Sequence, residues 1–155
     1  MILLMGYGNV LRTDDAIGHV LARAMWQRLN QTVEELRVYL LHQLTPEMVV
    51  RIAGASYVIF IDAREGGKPG TVICESVSPQ INEGAFTHNT DPAALLNAAY
   101  EWYGATAEGL LISVVGASFD YGEELSYDLN VLLPTIIDEV EALIRSYIST
   151  VETLS

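Results

Sequence analysis

Apolar and polar positions along the chain follow two alternating patterns, one typical of strands and the other typical of helices. Short apolar runs predict strands, and segments with an apolar residue every three or four positions predict helices between them. Because the two kinds of element alternate and the strands are strongly apolar, we expect an α/β fold, a doubly wound and mostly parallel five-stranded sheet with helices on both faces. The strands are predicted at 2–5, 36–41, 57–61, 71–75 and 109–115, and the helices at 17–29, from 46, from 91 or 92 to 103, and from about 127.

Turn and capping residues refine the ends of some of these elements. Thr45 is predicted to cap the short second helix, with Pro46 at its first position, because proline already has a helical φ and lacks the N–H that would be left unpaired there. Pro134 lies inside the last helix and predicts a kink or a later start. The fourth strand follows a glycine-rich turn at 66–70 and is expected at an edge of the sheet.

Composition narrows the classes of function. With 155 residues, half of them apolar, the chain is expected to form a single domain, 1–155, with a substantial core. Twenty acidic and eight basic residues give a net charge of −12, which disfavours nucleic acid and anionic membrane surfaces as partners. The apolar runs are too short to span a bilayer, and no signal peptide is visible. A single cysteine fits a reducing cytoplasm. As a separate expectation, the protein is predicted to be a monomer.

The stretch that carries the most chemical information is the turn after the first strand. Gly6 and Gly8 follow that strand, and Asp14 and Asp15 stand just before the first helix. In an open α/β sheet this is the crevice where ligands usually bind. Two adjacent acids at such a place predict a metal ion or a proton-transfer role. One of them, more readily Asp14, is expected to cap the helix.

Other polar residues are expected to meet Asp15 at the same edge of the sheet. Asp62 follows the third strand, His42 the second and Asp120 the fifth, and His88 lies in the loop before the third helix. Carboxylate and imidazole groups suit a borderline divalent metal such as nickel or zinc. The position of Asp62 after a buried strand favours a functional role, whereas His88 taken alone is more typical of a loop histidine bonded to backbone.

Three further residues have simpler interpretations. His19 lies one turn after Asp15 and is expected at the surface rather than in a metal site. His42 either lines the crevice or holds the turn that follows it. Cys74 has no basic partner nearby in the sequence and is expected to be a small packed residue rather than a nucleophile.

Several known site chemistries are missing from the sequence. Leu11 stands where a dinucleotide-binding fingerprint has its third glycine, and the chain has no Walker loop, no His-Glu-x-x-His pair and no Gly-x-Ser-x-Gly elbow. A receiver-like phosphorylation module remains a minor alternative, because it also uses an acid pair and an aspartate after the third strand. That module would need a lysine after the fifth strand, and the chain's single lysine, Lys68, precedes the fourth.

Taken together, the motifs resemble a known family. The stretch 6–18, with its pattern Gly-x-Gly-Asn-x-Leu-x-x-Asp-Asp-x-Ile-Gly, is similar to the N-terminal signature of the nickel–iron hydrogenase maturation endopeptidases, peptidase family M52. The segment 42–47, the strand ending at Asp62, the loop 87–88 and the segment 116–126 follow in the family's order. The sequences Gln-Leu-Thr-Pro-Glu at 43–47 and Ser-Phe-Asp-Tyr-Gly at 118–122 resemble the members that serve bidirectional, NAD-linked hydrogenases.

The resemblance implies a doubly wound α/β fold and a cytoplasmic endopeptidase. Such enzymes remove a C-terminal extension from the hydrogenase large-subunit precursor after nickel insertion. The family's catalytic and metal-contacting positions fall on Asp15, Asp62 and His88. Nickel is implied as cargo of the precursor rather than as a resident cofactor, although other divalent ions can occupy the site. Asp62 or Asp15 could instead act as the general base. The non-enzymatic alternatives are a receiver-like module and a metal chaperone.

Overall fold

The computed structural model describes residues 1–79 and 90–154. These residues form five strands and four α-helices, with a short 3-10 helix before the first α-helix, so the predicted α/β class is confirmed. In chain order the elements are β1 (Ile2–Tyr7), the 3-10 helix (Thr13–Ala16), α1 (Ile17–Leu29), β2 (Leu36–Leu41), α2 (Met48–Ala53), β3 (Tyr57–Arg64), β4 (Val72–Val77), α3 (Pro92–Tyr103), β5 (Glu108–Val115) and α4 (Tyr127–Leu154).

The strands form one sheet in the order β2-β1-β3-β5-β4. The first four of these strands are parallel, and β4 runs antiparallel to β5 at the edge of the sheet, so its predicted edge position is confirmed. From β1 the chain moves outward to β2 and then returns to the other side of β1 to form β3. The direction of winding therefore reverses between β1 and β3, and the carboxyl ends of these two strands form the topological switch point where α/β proteins bind ligands.

The core lies in two layers, one on each face of the sheet. Alternate residues of a strand point to opposite faces, so Ile2 and Leu4 of β1 pack with α1 and α4, whereas Leu3 and Met5 pack with α2 and α3. The prediction of helices on both faces is thereby confirmed. Among residues 1–79 and 90–154, no helix is both long enough and apolar enough to cross a membrane.

Some element ends differ from those predicted. The α-helix α2 begins at Met48, and Thr45 contributes its carbonyl rather than its side chain, accepting from the Met48 N–H at 3.1 Å. The prediction of a Thr45 side-chain cap is therefore wrong. The last helix is continuous through Pro134, so a later start is also wrong. The third helix begins as predicted, because Asp91 accepts a hydrogen bond from the Ala94 N–H at 2.7 Å and Pro92 fills the first turn.

Close packing of α1 on the sheet depends on glycine. Gly18 lies in the first turn of α1, directly over the carboxyl ends of β1 and β3. A Cβ at this position would lie 2.5 Å from the Ile61 carbonyl oxygen and 2.7 Å from the Tyr7 carbonyl oxygen. Both atoms are backbone and cannot rotate away. Glycine is therefore what allows the helix to start close to the switch point.

We expect Gly18→Ala to lower the free energy of unfolding by about 2–3 kcal/mol, because the added methyl group forces α1 away from the sheet. Gly54→Ala is the matched control, since a Cβ there would meet its nearest neighbour only at 3.7 Å. Urea unfolding measures both changes. Equal stability of the two variants would contradict the close-packing argument.

Candidate active site

Two loops join at the carboxyl edge of the sheet. The loop between β1 and α1 lies against the loop between β5 and α4, and backbone hydrogen bonds connect them. The Thr13 N–H donates to the Gly122 carbonyl at 3.1 Å, and the Gly122 N–H donates to the Leu11 carbonyl at 2.9 Å. Arg12 adds a bond from its Nε to the Phe119 carbonyl at 2.9 Å. The paired loops, residues 9–16 and 116–126, form one side of the switch-point crevice.

Asp14 holds the paired loops together from inside. Its side chain is fully buried and accepts hydrogen bonds from the Ala117 and Ser118 N–H groups at 2.7 and 3.1 Å. It also accepts from the Ser126 N–H at 2.8 Å and from the Ser126 hydroxyl at 2.7 Å. The Ser126 hydroxyl oxygen in turn accepts from the Leu129 N–H in the first turn of α4.

The prediction that Asp14 caps the first helix is therefore wrong. Neither the 3-10 helix nor α1 has a side-chain cap, because the Asp14 carboxylate points away from α1 and toward residues 117–126. It anchors the start of α4, a helix more than a hundred residues away in the sequence. A buried carboxylate needs such donors, since removal of its charge from water is otherwise unfavourable.

The residue before Asp14 has an unusual backbone conformation. Thr13 has a φ of +53°, a left-handed conformation that a β-branched residue rarely adopts. Its hydroxyl donates to the Asp120 carbonyl at 2.6 Å, and its N–H is bonded to Gly122. These contacts hold the turn that directs Asp14 inward and leaves Asp15 facing the crevice.

Asp15 is positioned by the glycine turn. It is half-buried, and its Oδ2 accepts a hydrogen bond from the Asn9 N–H at 2.7 Å. Gly8 has a φ of +145°, and a Cβ there would lie 2.1 Å from the Asp15 carbonyl oxygen. Gly8 is thus required both by its own backbone conformation and by the close approach of Asp15.

Asp62 lies near the end of β3, on the other side of the switch point. It is half-buried, and its Oδ1 accepts from the N–H of Ala63 at 2.7 Å, while the Tyr7 hydroxyl donates to the same carboxylate. Burial is the main reason that the pKa of Asp62 is raised to about 6. The negative charge of Asp15 adds to the rise, whereas the hydrogen bonds from Ala63 and Tyr7 oppose it. Burial and the charge of Asp62 also raise the pKa of Tyr7.

The two acids predicted to meet at the sheet edge are thus brought together. Asp15 and Asp62 interact through their like charges, in a partly buried crevice where repulsion is weakly screened. A divalent cation placed between them would relieve that repulsion and would find the oxygen ligands that such cations accept. The arrangement is therefore suited to bind a cation or to hold a proton that is taken up near neutral pH.

The remaining candidates are distributed differently. His88 lies outside the described residues, and among residues 1–79 and 90–154 no group of three His, Cys, Asp or Glu side chains could hold a metal ion. His19 is half-buried, with its Nε2 2.7 Å from the Leu41 carbonyl oxygen, and His42 is exposed.

Cys74 is exposed, so the prediction of a packed cysteine is wrong. Partial shielding of its thiol from water and the neighbouring Glu75 raise the pKa of Cys74, which disfavours the reactive thiolate.

Tyr7 is the site residue that sequence reasoning missed. It reads as the last apolar position of β1, yet its hydroxyl reaches Asp62 on the neighbouring strand. The sequence feature that could have identified Tyr7 is its position between Gly6 and Gly8, at the end of the strand that leads to the switch point. The pairing with Asp62 depends on the strand order, because β1 lies next to β3.

Fold and site together define a doubly wound α/β protein with a carboxylate pair at its switch point, and solved structures of the same architecture are known. The hydrogenase maturating endopeptidase HybD from E. coli has a TM-score of 0.68 at 22% sequence identity, covering 94% of this chain and 93% of that chain. The [NiFe] hydrogenase maturation protease HycI from Thermococcus kodakarensis KOD1 has a TM-score of 0.62 at 26% identity, covering 92% and 88%. The sequence matches no protein-family model and no curated protein.

A third structure, the [NiFe] hydrogenase maturation protease HybD from Thermococcus kodakarensis, has a TM-score of 0.60 at 22% identity and covers 92% of this chain and 97% of that chain. These likenesses extend over nearly the whole fold rather than over the sheet alone. The comparison confirms the predicted doubly wound fold, and the structures that share it are named as hydrogenase maturation endopeptidases or proteases, the family that the sequence motifs resemble.

Asp14→Asn is expected to destabilise the fold by about 2–4 kcal/mol, because the amide offers one acceptor oxygen and places an NH2 group against N–H donors. Asp120→Asn is the control, since Asp120 is an exposed acid on the same loop. Thermal or urea unfolding gives the comparison. A loss as small as that of Asp120→Asn would show that Asp14 does not hold the loops together.

The carboxyl group of Asp62 is expected to titrate near pH 6 in a carbon-13 NMR experiment. Asp15→Asn should lower this pKa by removing a like charge, and Tyr7→Phe should raise it by removing a hydrogen bond to the charged form. Opposite signs for the two variants are the diagnostic result. Shifts in the same direction would contradict the assignment of causes.

The raised pKa also predicts how stability depends on pH. The folded state binds the Asp62 proton more tightly than the unfolded chain does, so Asp62 lowers stability as the pH rises from about 4 to about 6. We expect Asp62→Asn to raise the free energy of unfolding by about 1–2 kcal/mol at pH values near 8. At pH values near 4 the gain should vanish. A gain of equal size at both pH values would point to packing rather than charge.

Proposed function

We propose that the protein is an endopeptidase that removes the C-terminal extension of a nickel–iron hydrogenase large-subunit precursor once nickel has been inserted. The observation that carries this proposal is the meeting of Asp15 and Asp62 at the switch point of a fold shared with hydrogenase maturation proteases. The carboxylates that the family resemblance assigned to metal contact are the ones that the strand order brings together.

Nickel enters the proposal as part of the substrate. The precursor presents its seated nickel to Asp15 and Asp62, with His88 as the predicted third contact. Binding of the metal then holds the adjacent peptide bond beside the reacting groups, which raises the effective concentration of those groups. A precursor without nickel lacks this contact, so its scissile bond is not held beside the reacting groups. The enzyme thereby tests for metal insertion before it cuts.

Asp62 is the better candidate for proton transfer. With a pKa of about 6, it is mostly ionised at neutral pH and is basic enough to accept a proton there. In the proposed step a water oxygen attacks the scissile carbonyl carbon while the water proton passes to the Asp62 carboxylate. Cleavage of the C–N bond then returns that proton to the leaving amine. Asp15 keeps its contact with the nickel of the precursor during this step.

The surface around the site favours a protein as substrate. Four apolar side chains are exposed on or beside the paired loops, Val10 and Leu11 on one loop, Tyr121 on the other, and Tyr127 at the start of α4. Their exposed fractions run from 45% to 81%. Clustered apolar side chains beside a polar crevice are typical of surfaces that bind another protein.

The alternatives differ in what they require of Asp14 and of lysine. A receiver-like module would need both adjacent acids at its phosphorylation site, but Asp14 is buried and engaged with the loop at 117–126. Lys68, which is exposed and precedes β4, follows the wrong strand for that chemistry. A metal chaperone would use the same carboxylates without cleavage, and it is distinguished by experiment.

The test compares nickel-loaded and nickel-free large-subunit precursor. We expect the mass of the loaded precursor to fall by that of its C-terminal peptide, whereas the nickel-free precursor stays intact. Nickel transfer without any change in mass would indicate a metal chaperone. Labelling of Asp62 by a small phosphodonor would indicate a receiver-like module instead.

Variants test the roles of the individual groups. Asp62→Asn and His88→Ala should lower kcat/KM by at least about a thousandfold, as expected for residues at the reacting atoms, while Asp120→Asn leaves it unchanged. If Asp62 is the base, kcat/KM rises with pH through about 6 and then levels off, because kcat/KM reports the pKa values of the free enzyme. Cleavage that survives Asp62→Asn and His88→Ala would overturn the site assignment.

A further inference from the structure

The edge strand β2 carries unpaired backbone groups that lead to the site. The Gly8 N–H donates to the Leu41 carbonyl at 3.0 Å, so the odd-numbered residues of β2 direct their backbone groups toward β1. Directions alternate along a strand, and the N–H and C=O groups of Leu36, Val38 and Leu40 therefore face away from β1. No other strand among residues 1–79 and 90–154 pairs with this edge.

A groove lies between this open edge and helix α1. Its volume is about 570 Å³, and its lining includes Val38 and Leu40 of β2 together with Trp26 of α1. Trp26 is 45% exposed, an unusual exposure for the largest apolar side chain. An apolar floor beside free backbone donors and acceptors is the arrangement that binds an extended peptide as an added strand.

The groove is also basic, although the protein as a whole is strongly acidic. Arg23 and Arg37 line it, and within the described part of the chain neither arginine forms an ion pair. Arg51 lies on the opposite face of β2, stacked on the ring of Tyr39 with its Cζ 4.5 Å from the ring centroid, and is not part of the groove. In a chain of net charge −12, positive charge gathered along one groove favours an acidic ligand.

The groove ends beside the catalytic crevice. The Leu41 carbonyl, at the carboxyl end of β2, is bonded to Gly8, and Gly8 packs directly against Asp15. A polypeptide segment lying along β2 would therefore arrive at the switch point without crossing another element. This continuity connects the edge strand with the reaction that we assign to Asp15 and Asp62.

We propose that β2 binds an extended, acidic segment of the precursor as an additional strand of the sheet and so guides the scissile region to the site. This proposal rests on the function proposed above. A second copy of the chain is a poorer occupant, because pairing of two β2 edges would bring the unpaired arginines of both copies into one interface.

Amide hydrogen exchange tests strand addition directly. The wild-type protein is mixed with nickel-free precursor, which should bind along β2 without being cut, and exchange is followed by NMR. The amides of Val38 and Leu40 should gain protection, because they face the added strand. The amides of Arg37 and Tyr39 are already bonded to β1 and should change little. Protection of neither Val38 nor Leu40 in the bound complex would overturn the proposal.

Charge reversal tests the groove independently. Arg37→Glu should raise KM for the nickel-loaded precursor about fivefold or more while kcat is unchanged, because it weakens binding without touching the reacting groups. Lys68→Glu is the matched control, since it makes the same change of charge at an exposed position outside the groove. Equal effects of the two variants on KM would show only a general effect of charge and would contradict binding of the precursor in the groove.

The two proposals fail in different ways. Normal cleavage, combined with unprotected Val38 and Leu40 amides, would contradict strand addition and leave the endopeptidase intact. Protection of those amides without cleavage of the loaded precursor would contradict the endopeptidase proposal but still support peptide binding along β2. Absence of binding by both the nickel-free and the nickel-loaded precursor would contradict both proposals.

Discussion

The carboxylate of Asp14 is the interaction on which the site depends. It is completely buried, and four hydrogen bonds from residues 117–126 satisfy it. An unpaired carboxylate at this depth would be strongly unfavourable, so the loop after β5 and the start of α4 must stay in place. The same contacts keep the chain before α1 in the turn that presents Asp15. A structural charge inside the protein thus positions a functional charge at its surface.

The neighbouring acids Asp14 and Asp15 show how one backbone turn separates two roles. The positive φ angles of Thr13 and Gly8 shape a turn that directs the Asp14 carboxylate inward and the Asp15 carboxylate toward the crevice. Asp15 then lies close enough to Asp62 for their charges to interact. Burial and this repulsion give Asp62 a pKa near the range in which proteins transfer protons. The site is electrostatically unfavourable until a cation or a proton enters it, which is typical of functional rather than structural clusters.

The distribution of basic residues extends the same argument to the whole molecule. Arg28 of α1 binds Glu141 and Asp138 of α4, and Arg145 of α4 binds Glu141 and donates to the Arg28 carbonyl at 3.3 Å. Arg12 holds the paired loops. These cations serve the fold. Arg23 and Arg37 have no such ion pair in the described part of the chain, and they lie along the one groove that leads to the site. Two of the positive charges that remain for a partner therefore lie where a substrate segment would approach.

The sequence by itself determined the class of fold and most of the site's chemistry. Strand periodicity, the glycine turn at Gly6 and Gly8, and acids after the first and third strands were enough to place Asp15 and Asp62 at one edge, because parallel strands bring their carboxyl ends together. The tertiary structure decided what Asp14 does, since its partners lie more than a hundred residues away. It also decided the contact of Tyr7 with Asp62, which depends on the order of the strands. Local pattern reports periodicity and caps, but hydrogen bonds between distant loops and the burial of a charge exist only once the chain has folded.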